Sequence, residues 1–549
     1  MKNIFLGLFA IVFLASFTPV QDTIYVHWKT GNMTKLPIAD IDSLNFSYDY
    51  APQHPNQQFK QDSVFNRVYS TLSLTGIQMP AGTPDIAGID EGLTSFVRGL
   101  WNLNELTTDE AICSWADPFI PDLNTNNYSP TNEQIRGMYL RLYYNIRVCN
   151  YFLENTVTKT DDISVKQRAE ARFVRALNYF YLLDMFGNVP LVTSTTATQP
   201  TQSTRLQLFS WIESELISIE PNMYAARQSP YYRANAAANW LLLSRLYLNA
   251  EVYTGTPRWN DAALYSKKVI DAGYQLNPAY KQLFMADNAG PIDGSTANTA
   301  PQEIIFAIVS DGVTATSYGS STFLVASTHN FDMTNWGSNQ GWSGNRARAA
   351  LIHKFYPTTV DASDISDLST GVPGSTKDAR ALFYGLNRTL DITDVSVFTQ
   401  GYSVAKFSNL RADGQPAKDA GFADMDFPLF RLAEANLNYA EAVLRGATTV
   451  GGYTALSAVN ALRVRAEAAQ LTTVDLQAVL DEKAREFFFE GQRRTDLIRY
   501  AKFAGSTDYN WDWKGGTPGG IPFAAHRNLF PIPQSEIQNN PNLVQNVGY

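Results

Sequence analysis

The chain has 549 residues, of which 45 % are hydrophobic, 13 % aromatic and only 17 % charged. This length and apolar content exclude a disordered chain and a small scaffold held together by disulfides. Its 43 basic and 52 acidic residues give a net charge of −9 without a long basic run, which argues against nucleic acid as a partner. The histidines and cysteines show no metal-ligand spacing, so we expect no metal and no other cofactor.

The first 17 residues have the pattern of a secretory signal sequence. Lys2 precedes an apolar run over residues 4–15 that is too short to span a bilayer as a helix. The following Ser16 and Phe17 resemble the end of a bacterial lipoprotein signal, except that Phe17 stands where that signal has a cysteine. We therefore expect an exported chain that is not acylated at this position.

The next segments predict a hairpin and then pairs of helices. Residues 22–46 predict a short β-hairpin appendage, because Ile24, Val26 and Trp28 alternate with other residues ahead of a turn. In a helical region over 60–272, apolar residues recur every three or four positions. The helices predicted there cover 65–72, 93–105, 132–155, 165–186, 235–253 and 259–272.

The rest of the chain predicts a loop-rich insertion followed by more helices. Residues 273–424 are rich in glycine, serine, threonine, asparagine and aromatic residues, which favours an irregular subdomain. Residues 425–549 form a C-terminal helical region with helices predicted at 428–445, 454–469 and 475–499. The fold class is therefore mostly α, with tetratricopeptide-like helical pairs. We expect few short strands, confined to the hairpin and to 273–424.

Several ordered segments of the chain resemble one protein family. They are 100–110, 175–180, 186–190, 246–253, 430–442, 485–494 and 530–543. Their order and spacing are similar to those of the SusD/RagB family of outer-membrane nutrient-uptake proteins of Bacteroidetes, over residues 60–549. The resemblance implies a binding protein, not an enzyme, that lies over a SusC-like TonB-dependent transporter and hands it glycans or, in some members, peptides. It also implies an outer-membrane location, usually through a lipidated cysteine that Phe17 replaces here.

The resemblance also implies ligand contacts. A glycan site needs flat aromatic groups for sugar faces and planar amide or guanidinium groups for hydroxyl pairs. In the family's starch-binding members a tryptophan and an asparagine three residues apart contact the ligand, which implies this role for Trp101 and Asn104. Arg98, one helical turn earlier, would add a donor. The alternatives are a core tryptophan and a surface arginine.

Trp336 and Trp342 are further ligand candidates. They lie among glycines and small polar residues, which favours aromatic side chains exposed on a loop. The resemblance implies an aromatic ligand contact from this middle region without assigning it to one residue. Packing is the alternative for each of them.

The charged residues between 486 and 499 include acids and bases of the kinds that serve as catalysts in enzymes. Their helical spacing favours salt bridges, because every acid has an arginine within one turn. The predicted function is the capture of oligosaccharides and their delivery to the transporter. The alternatives are an exported helical glycoside hydrolase and a peptide-binding uptake protein.

The two cysteines of the chain leave two alternatives open. Cys113 and Cys149 form either a disulfide or two buried thiols.

Overall fold

The computed structural model describes residues 23–27, 33–37, 59–77, 80, 84–196, 198–290, 298–333, 335–356, 378–505 and 508–549. The predicted signal sequence lies outside these residues. Within the unit formed by residues 1–59, β1 (Thr23–His27) pairs antiparallel with β2 (Met33–Pro37). Residues 60–549 form a second compact unit, and the division predicted at 273 and 425 stays a prediction.

Helices dominate the second unit. In the first half of the chain they are α1 (Gln61–Ser73), α2 (Phe96–Glu105), α3 (Phe119–Asn124), α4 (Glu133–Thr156), α5 (Asp162–Phe186), α6 (Arg205–Ile219), α7 (Ala236–Leu248), α8 (Ala250–Thr254) and α9 (Trp259–Ile270). In the second half they are α10 (Ser321–Ser327), α11 (Ala349–Phe355), α12 (Leu432–Leu444), α13 (Ala455–Arg465), α14 (Leu476–Phe487), α15 (Arg493–Arg499) and α16 (Gln534–Asn539).

The long helices pack in pairs. Helix α4 packs along α5, α7 along α9, and α12 along both α9 and α13. The Asn132 side chain caps α4 by accepting from two backbone N–H groups, and the Asp161 side chain caps α5. Helix α5 ends at Gly187, whose φ of 75° is the left-handed conformation that favours glycine. The mostly α fold with helical pairs is confirmed.

Short strands form small sheets between the helices. They are β3 (Ala111–Cys113), β4 (Val189–Pro190), β5 (Gln202–Ser203), β6 (Ile304–Ile308), β7 (Asn345–Ala347), β8 (Phe383–Tyr384), β9 (Tyr402–Val404) and β10 (Phe427–Arg431). One antiparallel sheet has the order β3-β7-β9-β8, and β6 pairs antiparallel with β10. The prediction that strands are confined to the hairpin and 273–424 is wrong, since β3, β4, β5 and β10 lie outside both.

Several predicted helices have different bounds, and the helix predicted over 235–253 is divided into α7 and α8. The helix predicted from residue 428 begins at Leu432, because the preceding residues pair with β6 as β10. The helix predicted over 475–499 is broken between α14 and α15, where Phe489 and Gly491 have φ values of 65° and 78°. At this break the N–H groups of Gly491 and Gln492 donate to one carboxylate oxygen of Glu105, at 2.5 and 3.2 Å. The contact with α2 stabilises the irregular backbone.

A buried ionic cluster joins the C-terminal helices to the strands. Its members are Glu303, Arg380, Lys406, Arg431, Arg465, Glu482, Glu486 and Glu490, all buried. Glu486 contacts Arg431 at 2.5 Å and Arg380 at 3.1 Å, and it also pairs with Arg465. Burial alone would raise the pKa of Glu486, but the three arginines hold it far below its ordinary value. The salt-bridge prediction is confirmed, although the partners of Glu486 come from other elements rather than from its own helix.

The two cysteines are free, buried thiols. Burial raises the pKa of each to about 12, so neither is a reactive thiolate near neutral pH. Of the two alternatives, the pair of buried thiols is therefore confirmed. Among the helices that the structure describes, none is both long and apolar enough to cross a membrane.

A pair of buried carboxyl groups makes the stability of the protein depend on pH. Burial, together with repulsion from Glu110, raises the pKa of Glu105 well above its ordinary value. Burial also raises the pKa of Glu110 to about 7, because the nearby positive charge of Arg493 offsets only part of the effect of burial. The folded state therefore binds protons at these two carboxyl groups more tightly than the unfolded state does. The stabilising contribution of Glu110 is complete below about pH 4.5 and is lost as the pH rises through about 7.

We expect the free energy of unfolding to fall between pH 5 and pH 8 by less in Glu110→Gln than in the unmodified chain, because the amide does not titrate. The expected difference is on the order of 2 kcal/mol, measured by urea unfolding at both pH values. Equal pH dependence in the two proteins would show that this pair is not the source.

Candidate functional site

Two of the predicted ligand residues lie in the core. Trp101 on α2 is only 1 % exposed, and Phe323 and Phe489 pack against it at centroid distances of 5.5 and 5.1 Å. Asn104 is equally buried, and its Nδ2 donates to the Gly491 carbonyl at 3.0 Å. Both side chains are therefore buried in this fold, and the role predicted for Trp101 and Asn104 in ligand binding stays a prediction.

Four aromatic side chains form a cluster at the surface, which we call the aromatic surface. Its members are Trp115 after β3, Tyr318 before α10, Trp342 before β7 and Phe422 before β10. The centroid of Trp342 lies 6.3 Å from Trp115 and 6.2 Å from Tyr318, and Tyr318 lies 5.0 Å from Phe422. Tyr318 is 42 % exposed and the others are half-buried. Trp342 is thus partly exposed, as its loop composition predicts.

Backbone hydrogen bonds hold the two tryptophans of the aromatic surface in place. The N–H of Trp342 donates to the Ala326 carbonyl at 2.8 Å, and the indole of Trp115 donates to the Trp342 carbonyl at 3.0 Å. The N–H of Ser114 donates to the Gly344 carbonyl at 3.0 Å. A Cβ at Gly344 would lie 2.4 Å from the Trp115 ring, so only glycine allows this contact. The rings are therefore positioned before any ligand arrives.

Arg98 lies beside these rings, at the start of α2. Its backbone N–H donates to the Gly319 carbonyl at 3.0 Å, which ties the Tyr318 turn to this helix. The guanidinium carbon lies 5.7 Å from the centroid of Trp115 and 5.3 Å from that of Phe323. Within the part of the chain that the structure describes, no acceptor receives a hydrogen bond from this guanidinium. The Nε of Arg98 is buried, and the terminal N–H groups of this half-buried side chain are available to a ligand that covers the rings.

Amide groups border the aromatic surface. The side-chain oxygen of Gln340 accepts from the Trp342 indole at 3.1 Å, and its Nε2 donates to Asn339 at 2.9 Å. The neighbouring Asn339 is exposed. Aromatic faces, a guanidinium group and amides therefore lie together, which is the combination that binds the apolar faces and the hydroxyl groups of a sugar.

Trp336 occupies a different place from Trp342. It is 6 % exposed, and its ring stacks on His329 with centroids 5.0 Å apart and planes 24° apart. It lines a cavity rather than the aromatic surface. The structure thus brings together Arg98 and Trp342 from the predicted set, and leaves Trp101, Asn104 and Trp336 outside.

Trp115, Tyr318 and Phe422 were not predicted from the sequence. The signal that favours Trp342, an aromatic residue among small and polar ones, is also present around Trp115 and Tyr318. Trp115 follows a serine and precedes Asp117 and Pro118, and Tyr318 stands between Ser317 and Gly319. The sequence alone does not show that these distant segments lie next to each other in the fold.

Two family models match the chain. One is described as the SusD family and matches residues 380–549, and the other is described as starch-binding associating with outer membrane and matches residues 98–248. The chain is 41 % identical over 533 residues to the starch-binding protein SusD of Bacteroides thetaiotaomicron, an alignment that covers 91 % of this chain and 95 % of that protein. This chain belongs to the SusD family. The predicted resemblance is confirmed.

Solved structures show the same SusD-family fold. The surface glycan-binding protein A from Bacteroides fluxus superimposes with a TM-score of 0.67 at 18 % identity, covering 89 % of this chain and 99 % of that chain. The surface glycan-binding protein A from Bacteroides thetaiotaomicron, in complex with laminarihexaose, gives 0.64 at 18 % identity, covering 88 % and 98 %. Membership in this family agrees with the prediction that the chain is not an enzyme.

Proposed function

We propose that this protein binds glycans of the starch type on its aromatic surface. The observation that carries the proposal is the set of preformed rings of Trp115, Tyr318 and Trp342 beside the free donors of Arg98. Sugar rings stack their C–H faces on the aromatic faces, and the guanidinium donates to neighbouring hydroxyl groups. Such contacts bind a neutral glycan without any chemical step.

The orientation of the rings favours a curved glycan over a flat one. Trp342 is tilted by 51° from Trp115 and by 49° from Tyr318, so no single plane contains the platforms. An α-1,4-linked glucan turns from one glucose to the next and presents faces at changing angles, whereas a flat β-linked ribbon presents parallel ones. The relative that is 41 % identical is named as a starch-binding protein, which supports the same class.

The proposal also covers the cellular location of the protein and the transporter with which it works. The protein acts at the outer membrane, where it captures oligosaccharides and passes them to a SusC-like TonB-dependent transporter. The family description that names association with the outer membrane supports this location. The salt bridges of Glu486 and Glu490 support binding without hydrolysis, since both carboxylates are already paired with cations in the core.

We expect Trp342→Ala to weaken the binding of maltoheptaose by about 5- to 30-fold, the effect of losing an aromatic face worth about 1 to 2 kcal/mol. Isothermal titration calorimetry measures the affinity. The matched control is Trp240→Ala, which removes a half-buried tryptophan of α7 that is not part of the aromatic surface. Equal affinities of the two variants, or release of reducing ends from the bound glycan, would contradict the proposal.

A further inference from the structure

The loop that carries Trp342 also places Trp336 at a separate cavity. This cavity has a volume of about 560 Å³ and is lined by Gln282, His329, Asn335, Trp336, Phe407 and Ala412, among others. Its volume lies within the range of sites for small molecules and suits one or two sugar rings. None of the aromatic-surface residues is among its described lining residues, so it is a distinct place on the protein.

The Trp336 wall of this cavity is held rigidly. The carbonyl of Trp336 accepts the N–H of Asn409 at 2.8 Å, and its indole N–H donates to the Gln340 carbonyl at 3.1 Å. A Cβ at the next residue, Gly337, would lie 2.3 Å from the Asn409 backbone, so the two segments are in close contact. An aromatic wall fixed in this way loses little conformational freedom when a ligand packs against it.

His329 supplies an unused acceptor at the same cavity. The side chain is 1 % exposed, and its Nδ1 lies 2.8 Å from the Val325 carbonyl, to which it must donate. Burial lowers the pKa of His329 to about 4, so near neutral pH the ring is neutral and Nε2 carries a lone pair. Across the described ranges Nε2 has no hydrogen-bond partner. Because His329 lines the cavity, this acceptor is available to a hydroxyl group of a ligand or to water.

The polar groups at the rim favour a neutral ligand. Asn335 and Gln282 present amide groups, which pair with hydroxyl groups in either direction. Arg411 also lines the cavity, but its guanidinium donates to Asp413 at 3.1 Å, which balances its charge locally. Lys281 lines the cavity as well, and like Arg411 it already has an interaction partner. The amide groups of Asn335 and Gln282 therefore remain for the hydroxyl groups of a ligand.

We propose that this cavity is a second saccharide site, which takes one or two neutral sugar rings against Trp336 and in which Nε2 of His329 accepts a hydrogen bond from a sugar hydroxyl. The proposal rests on the proposed function, because it extends the same ligand class to a second place. The two sites bind separate sugar units, so each can be removed without the other.

Equilibrium dialysis of the full chain against radiolabelled maltose tests this proposal by counting sites. Ala412→Leu places a larger side chain in the cavity without removing a core contact, and Gln282→Leu, at a half-buried position, is a second variant that removes an amide. Ala469→Leu at an exposed position is the matched control, and Trp115→Ala/Trp342→Ala removes the aromatic surface. Melting curves show that each variant is folded.

We expect two sites in the unmodified chain and in the control, and one site in Ala412→Leu. Gln282→Leu is expected to weaken one site several-fold, and Trp115→Ala/Trp342→Ala to retain one. If Ala412→Leu and Gln282→Leu bind like the control while the double variant binds nothing, the cavity is not a saccharide site and the proposed function stands. If the double variant keeps every site, the proposed function is wrong. A chain that binds neither maltose nor maltoheptaose overturns both.

Discussion

Glu486→Ala is expected to lower the free energy of unfolding by about 3 to 5 kcal/mol, the cost of breaking a buried ion pair from one side. Glu486 has no exposed surface and receives three guanidinium groups in the buried ionic cluster. Its removal leaves Arg431 and Arg465 with less compensating charge in a region that water does not reach. Urea unfolding followed by circular dichroism measures the change.

The control for this variant is Asp162→Ala. Asp162 pairs with Lys166 at the exposed start of α5, where 80 % of the aspartate side chain is exposed. Exposed pairs of this kind contribute at most about 1 kcal/mol. If Glu486→Ala costs no more than Asp162→Ala, the cluster does not stabilise the fold as its geometry indicates.

Trp101→Ala is expected to cost about 3 to 5 kcal/mol of stability, because it opens a cavity between Phe323 and Phe489. Trp342→Ala, at a half-buried loop position, is expected to cost less than about 1.5 kcal/mol while it weakens glycan binding. Thermal unfolding and calorimetric titration of both variants separate a core tryptophan from a ligand-binding one. Trp101 would be a ligand residue after all if its replacement lowered affinity and left the melting temperature unchanged.

The regular helices could be predicted from the sequence because their signal is local. In α5 the apolar spacing and Gly187 together give both the extent of the helix and its end. The break at Phe489 and Gly491 could not be predicted in this way. Its backbone conformation is stabilised by the carboxylate of Glu105, which is almost four hundred residues away in the chain. Likewise β10 becomes a strand because β6 lies beside it.

The candidate site was predicted only in part, for a related reason. Loop composition indicates that Trp342 is accessible, but it does not show which other aromatic residues join it. Trp101 has the right residue type and spacing, yet Phe323 and Phe489 bury it from other parts of the chain. Trp115, fourteen positions later, occupies the accessible place beside Arg98. Burial is a property of the whole fold and is not visible in one segment.

The buried ionic cluster also has a consequence for the timing of folding. Glu303 and Arg465 are 162 positions apart in the chain, and Glu486 follows later still. Unpaired charges cannot be buried stably, so the core around them closes only after most of the polypeptide has been synthesised. Until then the core around these charged groups is incomplete. The cluster therefore ties the completion of this core to the last part of the chain, where Glu486 lies.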